Sequence, residues 1–567
     1  MHTNGTSNGE NAHTQEYTID EHRLGEARHV RIVCIGAGAA GLNLAYHVKK
    51  YLQNVDFCIY EKNASVGGTW LENSYPGVGC DIPAHNYQYT WEPNPDWSQF
   101  YSSGPEIRTY LEAVAEKHGL VDFIQFRHQV VEAEWQEDDG TWHLRVLDLA
   151  TGNVQDDVCH FFINAGGYLN DWVWPDIAGL DDFQGRLIHS ASWPADVELA
   201  GKRVAVLGNG SSGIQIVPAL HPRVAQMVTF IRNPTWVTAG FAQKYSGPNG
   251  TNFAYSEEQK QRFREDSEAY LVYRKGVEKE LVTRFPLLHK DSPEQAAAVR
   301  FSREEMQRRL GTDNPLLDHL VPDFGVGCRR PTPGVGYLEA LTQPNVRVVT
   351  DRILRVAAEG VVLEGGELIP VDAFICATGF DVSFRPRFPV VGRDGIDLAK
   401  QWEHRPTGYL SLAAANMPNH FMFQGPNSPV GHGSAMQIIE HSTKYMLKMI
   451  YKAQTERYKA FAPKASAVAD FVEHADKFLE RTVWAGNCKS WFKNGTVDGP
   501  VTALHPGSRI HWFHMLTNPR YEDWEWTSEK RNRFAYLGNG FSTWEMPERD
   551  VTWYLNDPSQ GYETLIY

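Results

Sequence analysis

One hydrophobic pattern is written twice along the chain. Val30–Ile35 is a short β-branched run that leads straight into Gly36-Ala37-Gly38-Ala39-Ala40-Gly41, and LNLAYHVKKYL follows with apolar residues at helical spacing. Arg203–Leu207 leads in the same way into Gly208-Asn209-Gly210-Ser211-Ser212-Gly213 and then IQIVPAL. Each copy predicts a strand, a tight turn and a helix. Two such openings, 172 residues apart, predict an α/β protein with two Rossmann-like dinucleotide-binding domains.

Between the copies, EAEWQEDDGTWHLRVLDL alternates around Asp139-Gly140, the pattern of a hairpin. HFFINAGGYLNDW ends a buried strand on a glycine pair, and Val371–Cys376 runs likewise into Ala377-Thr378-Gly379; both are placed as crossings between domains. Residues from about 253 to 320 are highly charged with helical periodicity and read as solvated helices inserted into the second domain, the insert as a whole spanning about 240–326.

Composition narrows the function classes. A chain of 567 residues can bury two or three cores. A formal net charge of −15 argues against a phosphate-backbone partner, so no nucleic acid is expected. The polar first 25 or so residues and the lack of any long apolar run predict neither signal peptide nor membrane span, hence a cytoplasmic protein. Seven cysteines without a C-x-x-C motif predict no disulfide framework and no zinc or dithiol site, in keeping with a reducing setting. No HExxH motif or Cys/His cluster predicts a metal.

The residue after each turn's second strand separates the two nucleotides. FCIYEK ends at Glu61, a carboxylate suited to accept from the hydroxyls of an unphosphorylated ribose. MVTFIRN ends at Arg232, whose guanidinium suits the 2′-phosphate of NADPH. A chain that holds one dinucleotide beside a nicotinamide dinucleotide reads as a flavoprotein reductase. No cysteine pair has the spacing of a disulfide reductase, which leaves oxygen as the common electron acceptor.

Phe183-Gln184-Gly185-Arg186-Leu187-Ile188-His189-Ser190-Ala191-Ser192-Trp193-Pro194 matches F-x-G-x-x-x-H-x-x-x-W-P at every specified position. In this the chain resembles the Baeyer–Villiger monooxygenases, class B flavin-dependent monooxygenases. GGTWLENSYPGVGCD (Gly67–Asp81), IRNPTW, GCRRP, Ala377-Thr378-Gly379 and the KSW of Lys489–Trp491 carry the likeness on, over roughly residues 30 to 500. The resemblance implies FAD and NADPH as cofactors and a C4a-peroxyflavin, held anionic by Arg330, that inserts one oxygen of O2 beside a ketone carbonyl. It implies that Asp81 positions Arg330. Arg329, where the family has a lysine, would help hold the 2′-phosphate. Trp491 would cover the nicotinamide cofactor from a mobile loop, and His189 would act on the linker between domains. It places Gly68, Thr69, Trp70 and Tyr87 with Gly36, Gly38, Gly41, Gly208, Gly210, Ser211 and Gly213 around the cofactors. The expected division is a disordered tail over 1–28, FAD-binding parts at 29–167 and 379–567, and an NADP-binding domain at 168–378. Two other readings stay open: a nitrogen- or sulfur-oxygenating relative, and a nucleotide-binding redox sensor without turnover. His432 and the other histidines have no assigned chemistry.

Overall fold

The computed structural model describes residues 17–555. Strand Val30–Ile35 pairs in parallel with Val55–Glu61 and Phe161–Asn164, and Ile124–Phe126 and His420–Met422 complete a five-stranded sheet. Side chains alternate across it. Ile32, Cys34, Phe57 and Ile59 enter the core formed with helices Ala39–Tyr51 and Ala435–Thr455. Val33, Cys58, Tyr60 and Phe162 instead meet Trp135, Trp142 and Leu144 of an antiparallel meander, His128–Gln136, Thr141–Asp148 and Val154–Cys159. Its first turn is at Gly140, as the hairpin pattern predicts; the φ of +70° there requires the left-handed backbone that glycine adopts without strain.

The second opening builds a second five-stranded parallel sheet in the order Val346–Val349, Gln226–Phe230, Arg203–Leu207, Ala373–Cys376 and Arg186–His189. Both faces are covered, as continuous apolar parallel strands require: Val204, Val206 and Ile375 point into one core, Ala205, Val228 and Phe374 into another. Inserted between Val237–Thr238 and Thr332–Pro333 are helices Glu257–Glu265, Ser267–Val282 and Pro293–Leu310. Ser256, Asp266 and Ser292 cap their N-termini. The insert is fastened to the first sheet's unit by His85, whose ring is enclosed by Tyr255, Phe263, Tyr270 and Tyr273.

Two expectations are corrected. Cys328 and Cys488 form a disulfide across a sequence separation of 160, a pairing that no local spacing announces. Of the expected tail, residues 1–16 lie outside the described residues, but 17–28 pack on the C-terminal segment. Leu24 N donates to Phe541 O at 2.8 Å, and Thr543 N donates to Leu24 O at 3.0 Å. Among the described residues no helix is long and apolar enough to cross a membrane.

Burial holds several imidazoles neutral. His47 and His420 are pulled down to about 4 and His85 to about 3, each chiefly by desolvation. The unfolded chain therefore takes up protons that the folded chain refuses. The corresponding stability is complete above about pH 6.5 and is lost as pH falls toward the folded values. At pH 5.5 each of the three costs about 1.4 kcal/mol, about 4 kcal/mol together. The thermal unfolding midpoint is expected to drop between pH 7.5 and 5.5; a midpoint unchanged over that range would contradict the assignment.

Candidate active site

The first glycine-rich turn sits at the carboxyl end of Val30–Ile35, where ligands of open parallel sheets bind. Gly36 has φ of +94°, and a Cβ there would lie 2.7 Å from Ala165 O. A Cβ on Gly41 would lie 2.0 Å from Gly36 O, so the turn closes only with bare backbone at its last position. The Gly67-Gly68 step lies against it: Gly67 N donates to Ala37 O at 3.2 Å, and a Cβ on Gly68 would meet the Cα of Gly38 at 2.9 Å. Thr69–Glu72 follows as one helical turn, with Trp70 edge-on to Tyr87 at 5.5 Å. Burial pushes the Tyr87 hydroxyl far up, so it is a neutral donor.

Helix Ala39–Tyr51, entered at Gly38, and helix Ser211–Leu220, entered at Gly210, each start directly from a glycine-rich turn. Neither has a capping side chain or an acidic residue in its first turn. Their leading N–H groups and dipole ends are left for an anion, the arrangement that holds a dinucleotide pyrophosphate. Glu61 is buried at the end of Val55–Glu61. Its Oε2 accepts from Ala37 N at 2.7 Å, and its Oε1 accepts from Asn63 N and Nδ2, each at 2.8 Å. A carboxylate oxygen takes two donors, so Oε2 keeps one position for a ribose hydroxyl. These features fit the adenosine diphosphate half of FAD.

In the second turn Gly208 has φ of +112° against Ala377 O, and Gly213 closes on Gly208 O as Gly41 does on Gly36 O. A Cβ on Gly210 would meet nothing within 4 Å. Ser211 Oγ lies 3.3 Å from Thr332 Oγ1. Arg232 is exposed two residues beyond strand Gln226–Phe230. Arg329 reaches the same loop, its Nη1 donating to Pro234 O at 3.2 Å, and burial lowers its pKa without discharging it. Two cations border one loop, which fits the 2′-phosphate of NADP.

The Asp81–Arg330 pair bridges the two units. Arg330 Nη2 donates to both carboxylate oxygens of Asp81 at 2.7 Å and Nε to Oδ2 at 3.1 Å. Burial opposes the guanidinium charge, but the attraction and hydrogen bonds of Asp81, with smaller contributions from Tyr168 and Cys80, outweigh it and raise the Arg330 pKa. Asp81 is carried by the Gly67–Asp81 block, which is tied to the second unit. Tyr75 OH donates to Gln215 Oε1 at 2.8 Å, and Gln215 Nε2 donates to Gly79 O at 2.9 Å. The pair is therefore built from both halves of the molecule.

Trp491 stacks on Tyr168 at 5.6 Å, and Tyr168 stacks on Phe384 at 5.9 Å. Tyr168 was not singled out from sequence; its only signal is that it directly follows the Gly166-Gly167 pair. His189 ends strand Arg186–His189, stacked on Trp172 at 4.3 Å, its Nε2 3.2 Å from Thr378 Oγ1. It thus touches both chain crossings, which are also joined directly by Asp381 N donating to Asp171 O at 2.7 Å. Burial lowers its pKa to about 4. The other fingerprint residues serve packing. Phe183 meets Phe374, Gly185 gives room to the Phe183 ring, Trp193 lies at the edge of the second sheet's core, and Pro194 beside it is half-buried.

A model of an NAD(P)-binding Rossmann-like domain matches residues 34–103, which include the first turn and Glu61. The chain is 43% identical over 516 residues to FAD-binding monooxygenase tazF of Aspergillus terreus, covering 90% of this chain and 91% of that one. It is 34% identical over 503 residues to a Baeyer–Villiger monooxygenase of Pseudomonas aeruginosa, covering 87% and 90%. Its fold is similar to NADP+-bound cyclohexanone monooxygenase from Rhodococcus sp. Phi1, with a TM-score of 0.75 at 26% identity over 89% of this chain and 100% of that one. Oxidized steroid monooxygenase bound to NADP gives a TM-score of 0.73 at 26% identity over 88% and 100%. Two glycine-rich strand–turn–helix units joined by an arginine–carboxylate pair suit such enzymes, and relatives matched along nearly their whole length place the chain in the Baeyer–Villiger monooxygenase family of FAD-binding, NADP-dependent enzymes.

Proposed function

We propose that this flavin monooxygenase uses NADPH and O2 to insert one oxygen atom next to a ketone carbonyl, giving an ester or lactone and water. The observation that carries the reading is the Arg330–Asp81 pair, a cation fixed by three hydrogen bonds to a carboxylate of the other unit. Reduced FAD supplies the two electrons that cleave O2 and leave one oxygen for the substrate. Arg330 supplies a permanent positive charge where negative oxygen must be held, and Asp81 fixes the direction of its fork. Tyr168 and Trp491 stack beside that charge and exclude water, which strengthens it. Gly36, Gly38, Gly41, Gly68, Thr69, Trp70, Tyr87 and Glu61 hold FAD. Gly208, Gly210, Ser211, Gly213, Arg232 and Arg329 hold NADPH. Residues 29–167 with 379–567 form the FAD-binding part and 168–378 the NADP-binding part, working in the cytoplasm.

The test is a panel of ketones, one cyclic and one steroidal among them, with a thioether for comparison. Ketone-dependent NADPH consumption above the uncoupled rate, with product heavier by one oxygen atom, is the expected result. Oxygen transfer to the thioether alone would replace this reading with heteroatom oxygenation. Nucleotide binding without turnover on any member would point to a redox sensor.

A further inference from the structure

The Cys328–Cys488 disulfide joins the two loops that carry Arg330 and Trp491. Cys328 stands two residues before Arg330, and Cys488 three before Trp491. The arginine loop is held independently of this bond. Trp236 Nε1 donates to Phe324 O, and Gln295 exchanges hydrogen bonds with Val326, each at 2.9 Å. The tryptophan loop is knit partly to itself: Ser490 N donates to Thr496 O, and the buried Lys493 ammonium donates to the carbonyls of Gly486 and Val497. Its far side is rooted by Phe492, which is buried with Leu288 and Leu504 and whose carbonyl accepts from Thr502 N at 2.9 Å. On the side of Tyr168 and the arginine loop it is attached by the Trp491–Tyr168 stack and the sulfur bridge. The remaining five cysteines are free thiols.

We propose that Cys328 and Cys488 are positioning residues: their disulfide is a redox-set clamp that keeps the Trp491 loop docked over the arginine site, and its reduction releases the loop. A dithiol reductant supplies two electrons and two protons. The S–S bond breaks, each cysteine becomes a thiol, and the reductant closes to its own disulfide. Cys328 is 0% and Cys488 2% exposed, so the reductant reaches the bond only after the loop lifts. A nicotinamide dinucleotide lying under Trp491 therefore slows the reduction. That last consequence rests on the proposed role of Trp491; the clamp itself does not.

The holoenzyme, purified without reductant, is denatured, alkylated and mapped by mass spectrometry. Five alkylated cysteines and one linked peptide pair containing 328 and 488 are expected, and seven alkylated cysteines would overturn the proposal. Limited proteolysis of the native enzyme then reads the loop. Dithiothreitol is expected to raise cleavage within 486–499 about tenfold, and NADP+ to slow the appearance of the two new thiols. The KM for NADPH should rise about fivefold with kcat changed far less. Cys488→Ala should behave as the reduced enzyme with or without dithiothreitol. Should that variant misfold, chemical reduction of the natural chain carries the test alone. Unchanged proteolysis and unchanged KM on complete reduction would show the bond to be a passive brace. Thiol counts and cleavage rates do not depend on ketone oxygenation, so failure here is distinguishable from failure of the proposed reaction.

Discussion

Replacing Arg330 with alanine is expected to lower ketone oxygenation by two to three orders of magnitude or about 3–4 kcal/mol of transition-state stabilisation, the range found when one fixed partner of a developing oxyanion is removed. NADPH consumption should continue, because Arg232, Arg329 and the second glycine-rich turn are untouched. Electrons would then leave as hydrogen peroxide instead of ester. Arg330→Lys is the informative companion. It keeps a cation but not the fork that engages both oxygens of Asp81 at 2.7 Å, so partial recovery is expected. Measuring ester, hydrogen peroxide and NADPH in one assay separates loss of oxygen transfer from loss of reduction. Near-natural ester yield from the alanine variant would remove Arg330 from the mechanism.

The other large effect is expected from Gly41→Val. Even a bare Cβ at this position would lie 2.0 Å from Gly36 O, and two further methyl groups cannot be accommodated while the helix entry stays against the turn. FAD affinity should fall by more than about a hundredfold, equivalent to about 2.7 kcal/mol, and the protein should purify colourless. Gly210→Ala is the control, because its added methyl meets open space. That variant should fold and stay yellow, with weaker binding confined to NADPH. Visible absorbance after desalting, with titration of both nucleotides, reads the two outcomes. A Gly41→Val protein that retains bound flavin would show that the turn does not carry the pyrophosphate.

The parts of this molecule legible in its sequence are those whose cause is local. Each glycine-rich opening encodes its own strand, turn and helix within about twenty residues, and the two strands that open them start and stop where their β-branched runs do. Glu61 ends its strand as its sequence reads, whereas Arg232, read as a strand end, stands two residues past the end of Gln226–Phe230. The Phe183–Pro194 fingerprint was readable as a motif, but its packing role was not. Contacts made at long range left no pattern to read. Tyr168 beside Arg330, His189 against Trp172, and residues 17–28 against the C-terminal segment all join chain positions that no short window of sequence contains together. The pairing of Cys328 with Cys488 is the extreme case, since either cysteine alone looks like one more small apolar residue in a core.

The chain passes between its two sheets twice, and the crossings are fastened to each other by the Asp381–Asp171 hydrogen bond and by His189, which touches both. A single connecting strand would let one half swivel about its own axis relative to the other. Two tethers bound side by side resist that torsion and leave flexing about one line as the soft direction. An opening that admitted or released a nucleotide would thereby be confined to a reproducible arc, and Asp81 and Arg330, which come from opposite halves, would return to register on closing.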